Sequence, residues 1–418
     1  MSSSTGRESP LVFAPNVESE EWIREWETVQ AKDLVDGPVI AIDGETSVDD
    51  ACAALISNNT DCLAVKSGDG TIEGLFDFAD VNAFLILAAN LHALSQDFIN
   101  SYPVVKAIIN AANGDAGRVP VKLVCNLSEK NPLSVLPSSA SLIDLLAVFA
   151  KGIHRVLIRA PASSSSSFLG YTSAFSLLRY FLSSTPTVTL HRTNGPPSDE
   201  DALPLSPIPP SWHTYLSTPL HSLSDLPSLS LHGHVAHISA SSSVLDAMRA
   251  LSLEGVRSVA VVSEDVSSGG PGGGSEAGHL TLLSTVSVTD IGKLVTASGD
   301  KSILNMPISQ FVSMIKLPGG VEDGMDRFPV YNVVAANSLR FTMEKLLATM
   351  AHRVYVTAGN HPSSTSAGPQ LVGVVSVVDV LYLFARLANL HDIHPSRMVS
   401  AQRTSPLAAG IANATAHR

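Results

Sequence analysis

The stretch richest in chemistry is Gly373-Val374-Val375-Ser376-Val377-Val378-Asp379, with His352-Arg353 one element upstream. Ser376 and Asp379 fall where an apolar run, Leu371 to Val375, passes into a helical one, Val377 to Ala388. A helix start presents unpaired backbone N–H groups and the positive end of the dipole, so a phosphate can dock beside Ser376 while Asp379 accepts hydrogen bonds from ribose hydroxyls. Arginine adds a planar fork of donors and histidine a proton-dependent one, which suits a mono- or diphosphate. The same carboxylate has a second reading without any ligand, because an Asp in the first helical turn stabilises the dipole by itself.

Weaker copies of the pattern occur three more times. Ser284-Thr285-Val286-Ser287-Val288-Thr289-Asp290 keeps hydroxyl and carboxylate but lacks the glycine. Gly170-Tyr171-Thr172-Ser173-Ala174-Phe175-Ser176 lacks the carboxylate, and Gly74-Leu75-Phe76-Asp77-Phe78-Ala79-Asp80 has Asp77 at the hydroxyl position, where it would repel a phosphate. The candidate ribose residues are therefore Asp290 and Asp379. Candidate phosphate residues are Ser287, Ser376 and the cations at matched places before a strand: His154, Arg155, Arg257, His352 and Arg353. The equivalent place in the first copy is Asp61, of the wrong sign.

The elements that must position these residues repeat in the order strand, helix, strand, strand, helix. The anchors Asp80, Ser176, Asp290 and Asp379 recur at intervals of about 90 to 115 residues, one supersecondary unit plus a variable loop each. The units read as residues 33–92, 100–184, 212–305 and 310–391. A polar tail and helical lead (1–32) carrying Trp22 and Trp26 precede them, a Pro/Ser-rich linker (185–211) divides them, and a flexible tail (392–418) follows. In the first unit Ser47 caps a helix, and strands from Cys62 and Ile72 flank the Ser67-Gly68-Asp69-Gly70 turn. In the second, Val121 to Cys125 reads as the first strand and the five-serine run Ser163 to Ser167 as a hairpin loop. Glycine-rich Ser267 to Gly278 and the segment Gly359 to Gln370 take the loop position in the third and fourth.

Composition narrows the function class. A chain of 418 residues, 45% apolar, builds one large core or two to three ordinary ones, and a net charge of −12 gives no basic footprint for nucleic acid or an anionic membrane. Cys52, Cys62 and Cys125 form neither a disulfide framework nor a zinc pair, which suits a reducing cytoplasm or nucleus. No apolar leader and no span of about 20 apolar residues is present, so no membrane association is expected. His232, His234 and His237 lack the carboxylate or cysteine that would complete a metal set, and Gly272-Gly273-Gly274 lies between strands rather than before a helix. No GxSxG, Walker loop or HExxH occurs, and no motif places a nucleophile beside a base, so the expected role is non-catalytic.

Gly152-Ile153-His154-Arg155-Val156-Leu157-Ile158, His352-Arg353-Val354-Tyr355-Val356 and the Gly373 to Leu381 stretch resemble the gamma subunits of AMP-activated kinases. Leu75 to Leu85, Arg118-Val119-Pro120-Val121 and Asn126 to Leu133 resemble more closely the fungal four-repeat regulators of cell separation and stress, which inhibit type 2A-like protein phosphatases. The resemblance spans about Lys32 to Leu390. It implies an α/β (α+β) fold of four CBS repeats forming two Bateman modules in a pseudo-fourfold disc. It also implies a regulatory role in cell-cycle progression, cell separation, DNA replication and nutrient or stress response, exercised on a type 2A-like phosphatase. The alternative it carries is a nucleotide-sensing subunit of an AMP-activated-type kinase. No cofactor is required under either; AMP, ADP or ATP would be a regulatory ligand.

Overall fold

The computed structural model describes residues 13–114, 118–161, 167–183, 187–188, 203–204, 210–223, 235–264, 280–298, 300–316, 331–358, 369–390, 393 and 406–413. Helix α1 (Val17–Thr28) leads into a first unit of β1 (Ala41–Asp43), α2 (Val48–Ser57), β2 (Cys62–Lys66), β3 (Ile72–Asp77) and α3 (Phe78–Asn90). Helices α4 (Gln96–Ser101) and α5 (Pro103–Ala112) separate it from the second: β4 (Val135–Pro137), α6 (Leu142–Phe149), β5 (Arg155–Arg159), β6 (Phe168–Ser173) and α7 (Ala174–Leu182). The linker contributes the short pair β7 (Thr187–Val188) and β8 (Leu203–Pro204), then α8 (Pro210–Ser217). The third unit is β9 (His237–Ser239), α9 (Val244–Leu253), β10 (Ser258–Glu264), β11 (Leu280–Ser287) and α10 (Val288–Ser298), followed by α11 (Ile308–Lys316). The fourth is β12 (Asn332–Val334), α12 (Leu339–Thr349), β13 (Arg353–Thr357), β14 (Leu371–Ser376) and α13 (Val377–Leu387), and α14 (Pro406–Asn413) comes last.

Each unit is a three-stranded sheet in which the middle strand pairs parallel with the first and antiparallel with the third. The local chemistry repeats with it. Ser47, Ser141, Ser243 and Ser338 each N-cap the first helix of a unit by accepting a backbone N–H three residues on.

The capping serines also mark how the units are tied in pairs. Val29 and Ala140 carbonyls accept N–H groups from Leu142 and Ala31, so the lead-in to the first unit docks on the second. Residues Val119 to Lys122, which lead into the second unit, dock in turn on the first, through Val48 N–H to Val119 and Val121 N–H to Thr46. The same reciprocal exchange joins the other pair, with Leu220 bonded to Asn337 and Ile308 to Ser242. This exchange corrects the reading of Val121 to Cys125 as a strand. Val121–Leu123 is a 3-10 turn, and its apolar residues are buried against the neighbouring unit rather than in a sheet, the first strand of the second unit being Val135–Pro137.

Burial then closes the four units on one another in two ways. Sheets pack within each pair, through Ala64, Leu75 and Leu157 in one and Ala260, Val262 and Tyr355 in the other. Helices pack between pairs: α2 and α3 against α9 and α10, and α6 and α7 against α12 and α13. The second helical seam is covered by α1 and α8, where Trp22 meets Trp212 with ring centroids 4.9 Å apart and Trp26 meets Phe181 at 5.1 Å. The first seam is covered by α14, whose Leu407, Ala408, Ile411 and Ala412 are buried against α3 and α9. The expectation of a flexible tail after residue 392 is thereby corrected for 406–413: with large and small apolar residues on one face and no charge, the segment forms a packed helix. Of the segments read as loops, 163–166 of the serine run, all of Ser267 to Gly278 and 359–368 lie outside the described residues, as do His232 and His234.

Candidate functional site

Each unit delivers a strand-to-helix corner, and the corners of the first pair are closed by the protein's own groups. At the start of α3, Asp77 caps the helix, accepting the Ala79 and Asp80 N–H groups at 2.7 and 3.3 Å. Asp80 accepts both the backbone N–H and the hydroxyl of Ser128, at 2.9 and 2.7 Å. Ser128 arrives because Gly74 has no side chain: a Cβ there would sit 2.9 Å from Cys125 Sγ, on the lead-in that crosses from the second unit.

At the start of α7, where the motif lacks its carboxylate, Asp36 supplies one from the opposite lead-in. Its carboxylate accepts the Ser173 N–H at 2.8 Å and the Ser176 hydroxyl, and pairs with Arg179 at 3.4 Å. Here Gly170 permits the approach, since a Cβ would lie 2.3 Å from the Gly37 carbonyl. Neither Asp36 nor Ser128 stands out in the sequence. The glycine of the motif is the available signal, because it marks a close backbone approach.

In the second pair each corner joins a serine to the carboxylate three residues on. Ser287 donates its hydroxyl and N–H to Asp290 at 2.7 and 2.9 Å, and Ser376 does the same to Asp379 at 2.7 and 2.8 Å. Both carboxylates therefore complete capping boxes, and burial raises the Asp290 carboxyl above its ordinary range.

The cations converge. Arg257 from the third unit lays its guanidinium on Asp77 of the first at 2.7 Å, with side chains 11% and 1% exposed. His154 and His352, from the second and fourth, meet edge to face at 4.7 Å, and the Phe175 ring lies tilted against His352 at 5.0 Å. Arg155 and Arg353 bear electrostatically on both histidines. Arg155 also pairs with Asp61 at 3.2 Å and lies over the Tyr171 ring at 5.3 Å. The Arg257 and His352 carbonyls each accept the first N–H of the adjoining helix, from Val288 and Val377, so the cations border the corners at Ser287 and Ser376.

Charge and burial set the protonation states. Burial, then the nearby arginines and chiefly Arg257, push His154 down to about 3, and burial with His154 lowers His352, so both rings are neutral at pH 7. Among the described residues neither Nδ1 has a hydrogen-bond partner. Burial works to raise Asp77, but the Arg257 guanidinium holds its carboxyl below the usual range, while burial and the Asp77 charge push Asp80 up to about 8. Between the two sheets of the first pair lies a small cleft walled by Val39, Ile40, Cys62, Ala64, Arg155 and Tyr171. Burial pushes the Cys62 thiol up to about 11, so this wall is neutral apart from Arg155. Among the described residues no three His, Cys, Asp or Glu side chains form a metal site, and no helix is long and apolar enough to cross a membrane.

Comparison with known proteins gives this arrangement a lineage. The CBS domain family matches residues 31–86. Protein sds23 of Aspergillus niger is 26% identical over 94% of this chain and 79% of its own length. Protein SDS23 of Yarrowia lipolytica is 28% identical over 93% and 72%, and that of Saccharomyces cerevisiae 28% over 82% and 58%. A solved protein of Methanocaldococcus jannaschii, described as a candidate archaeal homologue of g-AMPK, superposes with a TM-score of 0.54 over 85% of this chain and all of its own, at 14% identity.

Proposed function

Since the chain is a CBS-domain regulatory protein homologous to the fungal SDS23 proteins, we propose that it acts without catalysis by inhibiting a type 2A-like protein phosphatase. It does so in cytoplasm and nucleus, where it couples adenine-nucleotide levels to cell-cycle progression and nutrient response. The observation that carries the nucleotide part is the convergence of His154, Arg155, Arg257, His352 and Arg353, drawn from three of the four units. Neutral histidines with unpartnered ring nitrogens and arginine forks beside two helix starts suit a phosphate. Ser287 with Asp290 and Ser376 with Asp379, at the starts of α10 and α13, would hold ribose and phosphate.

Two measurements test this reading. Titration calorimetry with AMP, ADP and ATP should give saturable heat that Asp379→Ala reduces and Asp290→Ala combined with Asp379→Ala abolishes; absence of heat with all three removes nucleotide sensing. A purified type 2A-like catalytic subunit acting on a phosphopeptide should be inhibited by stoichiometric protein, and undiminished turnover removes the phosphatase. Binding to a kinase catalytic subunit instead would favour the second reading, which the complete Gly373, Ser376 and Asp379 motif beside His352-Arg353 supports.

A further inference from the structure

Strand register aligns the four corners residue by residue. Asp77, Ser173, Ser287 and Ser376 share one position, facing Cys62, Arg155, Ser258 and Arg353 across the strand pair, and the residues just before those are Asp61, His154, Arg257 and His352. The first unit thus carries a carboxylate at both places where the others carry a hydroxyl and a basic side chain. We propose that Asp77 is a resident counter-anion standing in for a phosphate, which holds Arg257 away from the third corner. That corner then takes a phosphate group only in competition with this carboxylate, and the fourth corner fills first. The identity of the ligand rests on the nucleotide reading above; which corner is held back is new.

Asp77 has the surroundings of a bound phosphate. One of its oxygens accepts the Ala79 and Asp80 N–H groups at the start of α3, at 2.7 and 3.3 Å, and the other accepts the Arg257 guanidinium at 2.7 Å. Its side chain is 1% exposed, and Arg155 bears on the same carboxylate electrostatically. A serine in its place, as in the other three copies, would leave the helix start and the arginine fork to an outside anion. Asp61 acts in the same sense on the second unit, where it pairs with Arg155 at 3.2 Å.

The third and fourth corners differ in what a ligand must displace. The Arg257 carbonyl accepts the Val288 N–H, so this residue leaves its strand beside Ser287 and Asp290, yet its guanidinium lies on the first unit. A phosphate at that corner gains the fork only by leaving Asp77 buried and uncompensated. His352 holds the same position at the fourth corner, where its carbonyl accepts the Val377 N–H and its Nδ1 has no partner among the described residues. No ion pair of His352 has to break there.

The test titrates inorganic phosphate, at constant ionic strength in chloride buffer, against the full chain and its Asp77→Asn and Asp77→Ser variants, reading thermal melting. Both replacements keep a capping side chain on α3. Phosphate should stabilise both variants saturably, with half its effect at a concentration at least tenfold below that for the unmodified chain, and Arg257→Met added to either variant should abolish that gain. A variant that folds only with phosphate present supports the proposal equally. Equal half-effect concentrations in variants and unmodified chain overturn it, as do a gain that survives Arg257→Met and variants unfolded at every phosphate concentration. Calorimetry with AMP on Asp379→Ala, where the third corner remains, separates this inference from the nucleotide reading. Asp77→Asn in that background should tighten AMP at least tenfold. AMP heat that Asp77→Asn leaves unchanged sinks the role of Asp77 alone, whereas no AMP heat in any chain, with the phosphate gain intact, removes the nucleotide and keeps Asp77 as the resident anion.

Discussion

The Arg257 guanidinium meets the Asp77 carboxylate at 2.7 Å across the seam between the two pairs of units. The same carboxylate caps α3, so one buried group holds a helix start and an inter-unit contact together. Removing only the arginine leaves a buried, uncompensated charge, which costs about 3–5 kcal/mol. Arg257→Ala should therefore shift the urea midpoint strongly, and Asp77→Asn combined with Arg257→Met should recover a good part of the loss. A loss in the double variant equal to the sum of the two single losses would show that the two residues are not energetically coupled.

Asp36 stands in for the carboxylate absent from the second motif. Asp36→Ala should lower stability by about 1–2 kcal/mol, the usual cost of losing a cap. The Ser173 amide, which donates to Asp36 at 2.8 Å, should also exchange faster. Gly170→Ala should reproduce the effect without removing any polar side chain, because its Cβ must displace the Gly37 carbonyl. Unchanged exchange at Ser173 in both variants would refute the substitution of one carboxylate for the other.

What can be read from the sequence divides along physical lines. The period-2 and period-3.6 runs around Cys62, Ile72, Arg155 and Val377 specify elements that fold on local patterning, and their order within each unit follows from those runs alone. Val121 to Cys125 reads as a strand because an apolar run buried on a neighbouring unit has the same composition as one buried in a sheet. His154, Arg155, Arg257 and His352 are legible as basic residues at matched positions, and their convergence, with both histidines neutralised by burial, follows from the pairing of the units. Asp36 and Ser128 are not, since each acts on a corner that belongs to another repeat. Leu407 to Ala412 lacks charge contrast, and only the groove that receives it reveals it as a helix face.

Asp80 makes stability decline as pH rises through the neutral range. Burial and the Asp77 charge raise its folded-state pKa from 3.8 to about 8, so the folded protein holds a proton that the unfolded chain has released. Stability from this group is full below about pH 4 and declines until pH passes about 8. Melting temperature should fall from about pH 4 to about pH 8 and level off above it, by about 2–4 °C for each kcal/mol lost. Asp80→Asn, which still accepts from Ser128, should flatten that fall; parallel curves would place the titration elsewhere.

His154 and His352 set the opposite limit. With no hydrogen-bond partner on either Nδ1 among the described residues, both are held neutral by burial, His154 also by Arg257 and His352 by His154, and His154 titrates near 3 rather than 6.5. A depressed pKa means that the unfolded chain takes up protons first, so the contribution is intact above about 6.5 and is lost as pH falls towards 3. The groups facing the pair are Arg155, Arg257, Arg353 and Asp77, and of these only Asp77 opposes the loss, with its carboxyl already held low by Arg257. His154→Phe keeps a ring against His352 while removing the titration. Its stability should therefore drop less than that of the parent between pH 6.5 and 4.5, and addition of AMP should steepen neither curve at pH 8. If the variant follows the parent through the acid range, the central histidines do not limit stability there and the acid loss belongs to other groups.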